Sequence, residues 1–337
     1  MSIDDLLAAD ARLEEVASGF TWVEGPTWIP ARGVLRFSDI PGNRVLEHSE
    51  TDGATVEISS DAEYTNGRTT SRDGAVIECS HGRRAVQIDR TASQPGAPYA
   101  PEILVDRFGQ ARLNSPNDVV EKSDGTIWFT DPSYGIKRPD EGHAGEEEYG
   151  DRYVFRFDPA DGSLCPVVID VEAPNGLAFS PDESVLYVSD SSISPADRDR
   201  PNPARPGGHS IHAYDVFEGR HAKNGRSLVE VSPGLPDGFR VDTDGNLWSS
   251  SLTGIQVFTP GGEELGEIPV PEKVANCCFG GADGRTLYIC ASTSIYRIRT
   301  RARDAAASRP RQWPSPGAGV SPPGAPVRAT ARRSSLR

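Results

Sequence analysis

A polar residue recurs six times along this chain at the head of the same short pattern. The heads are Glu24, Asn66, Asn117, Asn175, Asp237 and Asn276, and seven positions after each of the last five stands an aspartate: Asp73, Asp124, Asp182, Asp244 and Asp283. Gly follows four of these aspartates, and an alternating apolar stretch comes next. A short strand, a tight Asp-Gly turn and a returning strand make a β-hairpin. The heads are 42, 51, 58, 62 and 39 residues apart, the spacing of one supersecondary unit repeated around an axis. The expected fold is therefore all-β, a six-bladed β-propeller whose inner hairpins are alike and whose outer parts vary.

The innermost strands of a propeller line its central channel, so side chains at one place in each repeat meet in a ring. The ring expected here carries six oxygen-bearing side chains and no cation, a set suited to a hard metal ion. Asn-Gly and Asp-Gly also build ordinary turns, but six in phase point to a central polar site. The return ends of the hairpins bring Asp39, His81, Asp131 and Asp190 near the rim of the channel. His81 is the only histidine in this phase. It is read either as a proton carrier or as a hydrogen-bonded wall residue, and Asp131 and Asp190 as strand-end supports rather than direct ligands.

Length and composition agree. With 337 residues, 34 Gly and 28 Pro, the chain suits one large all-β domain over residues 1–300 better than two average ones. No apolar run approaches the ~20 residues needed to cross a bilayer, and the first residues lack the order of a secretory signal. Five cysteines without a CxxC pair favour reduced thiols, and the cytoplasm is the expected location. Residues 301–337 hold eight arginines against one aspartate. Their Pro, Ala, Ser and Gly content predicts a basic tail without a fold of its own. The rest of the chain is then more acidic than the overall −14, which argues against nucleic acid as a partner. No membrane partner is expected either, and the oligomeric state is left open.

The sequence has no GxSxG, HExxH, GxxxxGK[ST] or GxGxxG, which weakens serine hydrolase, zincin, P-loop and Rossmann readings. Long insertions at 90–111, 136–150 and 191–209 separate the hairpins, and loops of this length in a compact domain are usually functional or mobile.

Several stretches resemble the SMP-30/gluconolactonase family, on its bacterial gluconolactonase side. They are Trp22-Val-Glu-Gly-Pro-Thr-Trp28, Leu113-Asn-Ser-Pro-Asn-Asp-Val119, Trp128-Phe-Thr-Asp-Pro-Ser-Tyr-Gly135, Ala173-Pro-Asn-Gly-Leu177 and Leu235-Pro-Asp-Gly-Phe239. Ala275-Asn276 with Phe279-Gly-Gly281 continue the series, which spans about residues 15–300. The segment Cys79-Ser-His-Gly-Arg-Arg84 is similar to the family's Cys-Glu-His-Gly-Asn-Arg, with Ser80 and Arg83 departing from it. The resemblance implies a six-bladed propeller, lactone hydrolysis and one divalent cation, calcium first, with zinc, magnesium or manganese as other candidates. It implies Glu24, Asn175 and Asp237 as metal ligands, with Asn117 as a ligand or a substrate contact. In animal members an arginine two residues before the channel asparagine grips the sugar; here Ser115 stands there and Arg112 is the nearest arginine. Asn66, Asn114, Asn117, Asn276 and Arg112 are accordingly the candidate substrate contacts.

The expected reaction is attack of water on a lactone carbonyl polarised by the cation, with Asp237 or His81 accepting the proton. Two other readings share the ring. One is hydrolysis of a phosphoester or phosphofluoridate, with the loops at 136–150 and 191–209 deciding the substrate. The other is a non-catalytic calcium-binding propeller with the ring sealed from solvent.

Overall fold

A computed structural model describes residues 1–192 and 208–307. Within them the chain forms six four-stranded antiparallel sheets arranged as propeller blades. The innermost strands are Val23–Ile29, Thr65–Thr70, Val119–Glu121, Pro174–Phe179, Phe239–Val241 and Val274–Gly280, and each packs against the next to close a ring. The inner hairpins form as the Asp-Gly pattern predicts. Asp124 Oδ1 accepts the Thr126 N–H at 3.0 Å, and Asp283 Oδ1 accepts that of Arg285 at 3.1 Å. The following glycines have positive φ, and in the fourth blade Glu183 occupies that left-handed position at φ 59°.

The six heads themselves are not turns. Glu24, Asn66, Asn175 and Asn276 lie within inner strands, where the pairing register with the second strand shifts. A bulge of this kind re-aims a side chain, and here it delivers the head residues toward the axis. Glycine follows four of the heads because neighbouring inner strands approach closely there. A β-carbon on Gly67 would sit 2.4 Å from the Asn117 carbonyl oxygen, and one on Gly176 would sit 2.5 Å from that of Asp237.

The apolar core lies between blades. Trp128 meets Phe179 edge-on at 5.2 Å between the third and fourth blades. Trp248 meets Phe279 at 5.4 Å between the fifth and sixth, and Trp28 stacks on Tyr288 at 5.5 Å between the first and sixth. These pairs add about 0.5–1.5 kcal/mol each to the burial of their own area. The fourth strands carry more exposed residues than the inner ones, as in Ser163–Val168.

The last sheet is completed by the start of the chain: Glu14–Ser18 pairs with Ser294–Arg299. Chain continues to pack beyond residue 300. The Arg301 N–H donates to the Leu6 carbonyl and the Ala305 N–H to that of Val241, with Ala302 and Ala305 buried. The boundary expected at residue 300 thus falls inside packed chain, because residues 301–307 are ordered by blade five and by the N-terminal segment rather than by apolar periodicity of their own. Residues 308–337, the greater part of the expected tail, lie outside the described residues. All five cysteines are free, and four are buried. Among the described residues no helix is long and apolar enough to cross a membrane.

Candidate active site

The heads of five blades open into one cavity of about 370 Å³ at the axis, lined by Glu24, Asn66, Asn117, Asn175 and Asp237. Four of them are at most 6% exposed, and Asp237 is half-buried between the buried Pro236 and Gly238. Asn276, the sixth head, does not line the cavity; its Nδ2 donates to Glu24 Oε2 at 2.9 Å, so it holds a wall residue in place. The ring faces an open cavity, against the sealed ring that a purely structural cation site predicts.

Electrostatics mark two of these residues. Burial, together with the charge of Asp237, holds the Glu24 carboxyl well above the usual carboxylate range. Burial pushes Asp237 up to about 6, opposed by Lys273 and by a hydrogen bond from Asn175. A buried carboxylate whose proton affinity is raised further by a second carboxylate, as Glu24 is by Asp237, is relieved by a nearby cation. Among the described residues of the lining, Glu24, Asp237, Asp140 and Glu141 stand against Arg138 and Lys273, a formal excess of negative charge that one divalent ion would cancel. Among the described residues no three His, Cys, Asp or Glu side chains cluster as a metal site. The ring instead offers two carboxylates and the amide oxygens of Asn117 and Asn175, which fits a hard, oxygen-seeking divalent ion.

The return-end residues act behind this wall. Asp39 Oδ1 accepts the N–H groups of Thr21 and Trp22, both at 3.0 Å. Asp131 Oδ2 accepts that of Asn114 at 2.8 Å, and Asp190 Oδ1 that of Ala173 at 3.2 Å. Each carboxylate therefore fixes the segment that leads into its own blade's inner strand, the support role expected of Asp131 and Asp190 and shared by Asp39.

His81 occupies the same place and is fully buried. It does not line the cavity. Its Nδ1 lies 3.0 Å from the Glu141 carbonyl oxygen and its Nε2 lies 3.2 Å from Asn66 Nδ2. Nδ1 therefore carries the proton and donates, while Nε2 accepts from the amide. Burial pulls its pKa down to about 4. These contacts match the wall residue and correct the proton-carrier alternative, since both ring nitrogens are engaged away from the cavity.

Two substrate candidates are corrected in the same way. Asn114 Nδ2 is tied to the Asp131 and Asp151 carbonyls and to the Tyr149 hydroxyl, so this side chain braces a loop. Arg112 donates to the Arg83 carbonyl at 2.9 Å and lies outside the cavity. Ser115 also turns away, bonding the Pro132 carbonyl and the Gly135 N–H.

Sequence reasoning missed the upper wall. Trp22 and Leu235 stand two residues ahead of their ring heads and Lys273 three ahead. Tyr134, Arg138, Asp140 and Glu141 come from the insertion at 136–150 and the short helix Tyr134–Lys137 that opens it. The offset before the heads was a usable signal; nothing in the insertion told which of its charged residues point inward. Of the insertion at 191–209, residues 193–207 lie outside the described residues.

The fold and cavity define a six-bladed propeller with an oxygen-rich axial site. The profile of the SMP-30/Gluconolactonase/LRE-like region matches residues 22–293, and the chain belongs to that family. It is 34% identical to a gluconolactonase of Zymomonas mobilis over 323 residues, covering 89% of this chain and 84% of that one. A pentonolactonase of Haloferax volcanii is 30% identical, with 79% and 80% covered. Among solved structures, a gluconolactonase from Xanthomonas campestris superposes with a TM-score of 0.77 at 38% identity, over 88% of this chain and 92% of that one.

Proposed function

We propose that this chain is a divalent-cation-dependent lactonase that opens a sugar lactone to its hydroxy acid. The observation that carries the proposal is the convergence of Glu24, Asn117, Asn175 and Asp237 in one axial cavity with an excess of negative charge. The relatives named gluconolactonase and pentonolactonase supply the substrate class. Glu24, Asn117, Asn175 and Asp237 would hold the cation. When bound, the ion would polarise the lactone carbonyl and stabilise negative charge on its oxygen.

The protein's own residues prepare the rest. Asn276 and the Gly25 N–H fix the Glu24 carboxylate. The Ser250 hydroxyl accepts the Asp237 N–H at 2.8 Å, holding the segment that carries this carboxylate. Asp237 accepts the proton of the attacking water. The Asn66 amide has its nitrogen on His81, and its Oδ1, without a partner among the described residues, can meet a substrate hydroxyl. Asn117 faces the same space. Free cysteines support the cytoplasm as the proposed location.

Elemental analysis of the purified protein, with turnover of lactones and organophosphates measured before and after chelation, tests this reading. One divalent ion per chain and chelator-sensitive opening of sugar lactones are expected. Asp237→Asn should keep an oxygen donor yet lower turnover by about 10²–10⁴-fold. An active preparation without divalent metal, or turnover of organophosphates alone, overturns the proposal.

A further inference from the structure

Ring opening of a lactone expels an alkoxide, a far stronger base than the phenoxide or thiolate of an activated ester. Asp237 is assigned to the attacking water, and a second acid already carrying its proton at the other side of the cavity would spare it a transfer to the departing oxygen. Resting on the lactonase reading above, we propose that Glu141 is the general acid that protonates the leaving ring oxygen.

Glu141 belongs to the insertion between the second and third strands of the third blade, and its side chain lines the cavity with Asn117 and Asp237. The residue is 7% exposed. Arg138 Nη1 holds its Oε1 at 2.8 Å, and Oε2 has no protein partner among the described residues. The segment is held firmly. The Glu141 N–H donates to the Arg138 carbonyl at 3.0 Å, and the Glu141 carbonyl accepts from His81 Nδ1. Next to it, a β-carbon on Gly142 would lie 2.1 Å from the Gly135 carbonyl oxygen, and one on Gly135 would lie 2.5 Å from His81 Cβ. This contact between backbone and imidazole seats the insertion against the ring.

Among the described residues, the charged groups facing Glu141 are Arg138 and Asp140 on its own loop, Asp237 from the fifth blade and Lys273 from the segment entering the sixth, with His81 neutral behind it. Burial outweighs the two cations and pushes the carboxyl up to about 7, so a large fraction carries its proton near neutrality.

In the proposed step the water oxygen bonds to the carbonyl carbon and one of its protons passes to Asp237. The bond from carbonyl carbon to ring oxygen breaks, and that oxygen takes the proton of Glu141 to become a hydroxyl. Solvent then returns a proton to Glu141 and removes one from Asp237, which leaves a hydroxy acid and the starting protonation.

The test compares wild type with Glu141→Gln on D-glucono-1,5-lactone and on its thiolactone analogue, whose thiolate leaves without a proton. For wild type, kcat on the oxygen lactone should fall as pH rises through about 7, because only protonated Glu141 donates. In the variant that limb should vanish and kcat drop by about 10²-fold or more, with a small change in KM and little change on the thiolactone. Equal losses on both substrates, or a retained limb, would show that Glu141 only positions the loop and would overturn the inference while leaving the lactonase reading intact. Failure of wild type to open any lactone would instead remove that reading itself, and this inference with it. Should Glu141→Gln melt early, Glu141→Asp serves: it must keep the limb and the preference between the two substrates, and loss of either refutes the assignment.

Discussion

At the scale of the residue, the wall behind the ring works by keeping its titratable groups in one protonation state. His81 is the clearest case. In the folded protein it stays neutral down to about pH 4, against 6.5 for the free side chain, because it is buried. Below pH 6.5 the unfolded chain binds a proton here that the folded chain refuses, so its contribution to stability is complete above that pH and is lost as pH falls toward 4. A shift of this size corresponds to about 3 kcal/mol. Urea unfolding from pH 7 to pH 4 should therefore show wild type losing about 3 kcal/mol more than His81→Gln. Parallel curves would mean that His81 titrates normally and that its hydrogen bonds to Asn66 and Glu141 are weak.

At the scale of the element, the inner strands serve two purposes with one device. The bulge re-aims the four heads that lie within strands, and in four blades the glycine after the head lets the next strand approach. Gly67 illustrates the constraint: its N–H donates to the Asn117 carbonyl at 2.8 Å, and there is no room for a β-carbon beside that oxygen. Gly67→Ala forces the second and third blades apart at the level of the site. It should cost about 2–4 kcal/mol, in the range of severe overpacking, and weaken cation binding as Asn66 and Asn117 shift. Calorimetry together with a metal titration would check both effects. An unchanged melting temperature would mean that the inner strands slide apart freely and do not set the ring's geometry.

At the scale of the whole molecule, closure depends on both ends of the chain. Glu14–Ser18 completes the sixth blade, while residues 302–305 add a short pairing to the fifth through the Ala305 and Thr243 N–H groups. Truncation after Ala307 should leave melting temperature and turnover as they were, since the sequence beyond it holds few large apolar residues (Trp313, Val320, Val327 and Leu336) among many Pro, Ala, Ser, Gly and Arg. Truncation after Arg301 removes two backbone hydrogen bonds and two buried alanines, and should lower the melting temperature by about 2–6 °C. Thermal scans of the two truncated chains decide between them; equal stability would return the boundary to residue 300.

The repeat alone determined the number of blades, the order of the ring heads and the chemistry of the hairpin turns. Each of these is a local property: a strand of set length, an aspartate that accepts its own turn's N–H, a fixed offset between the two. The oxygen-rich character of the ring was legible for the same reason. Only the tertiary structure decided what each polar residue does. Asn276 became a brace for Glu24, Asn114 and Arg112 turned away from the cavity, and His81 went behind the wall, because pairing and burial come from neighbours distant in sequence. Glu141 entered the cavity from an insertion that carries no repeat. Which loop side chains reach the axis, and how strongly burial shifts their protons, depends on packing across blades, which no single repeat encodes.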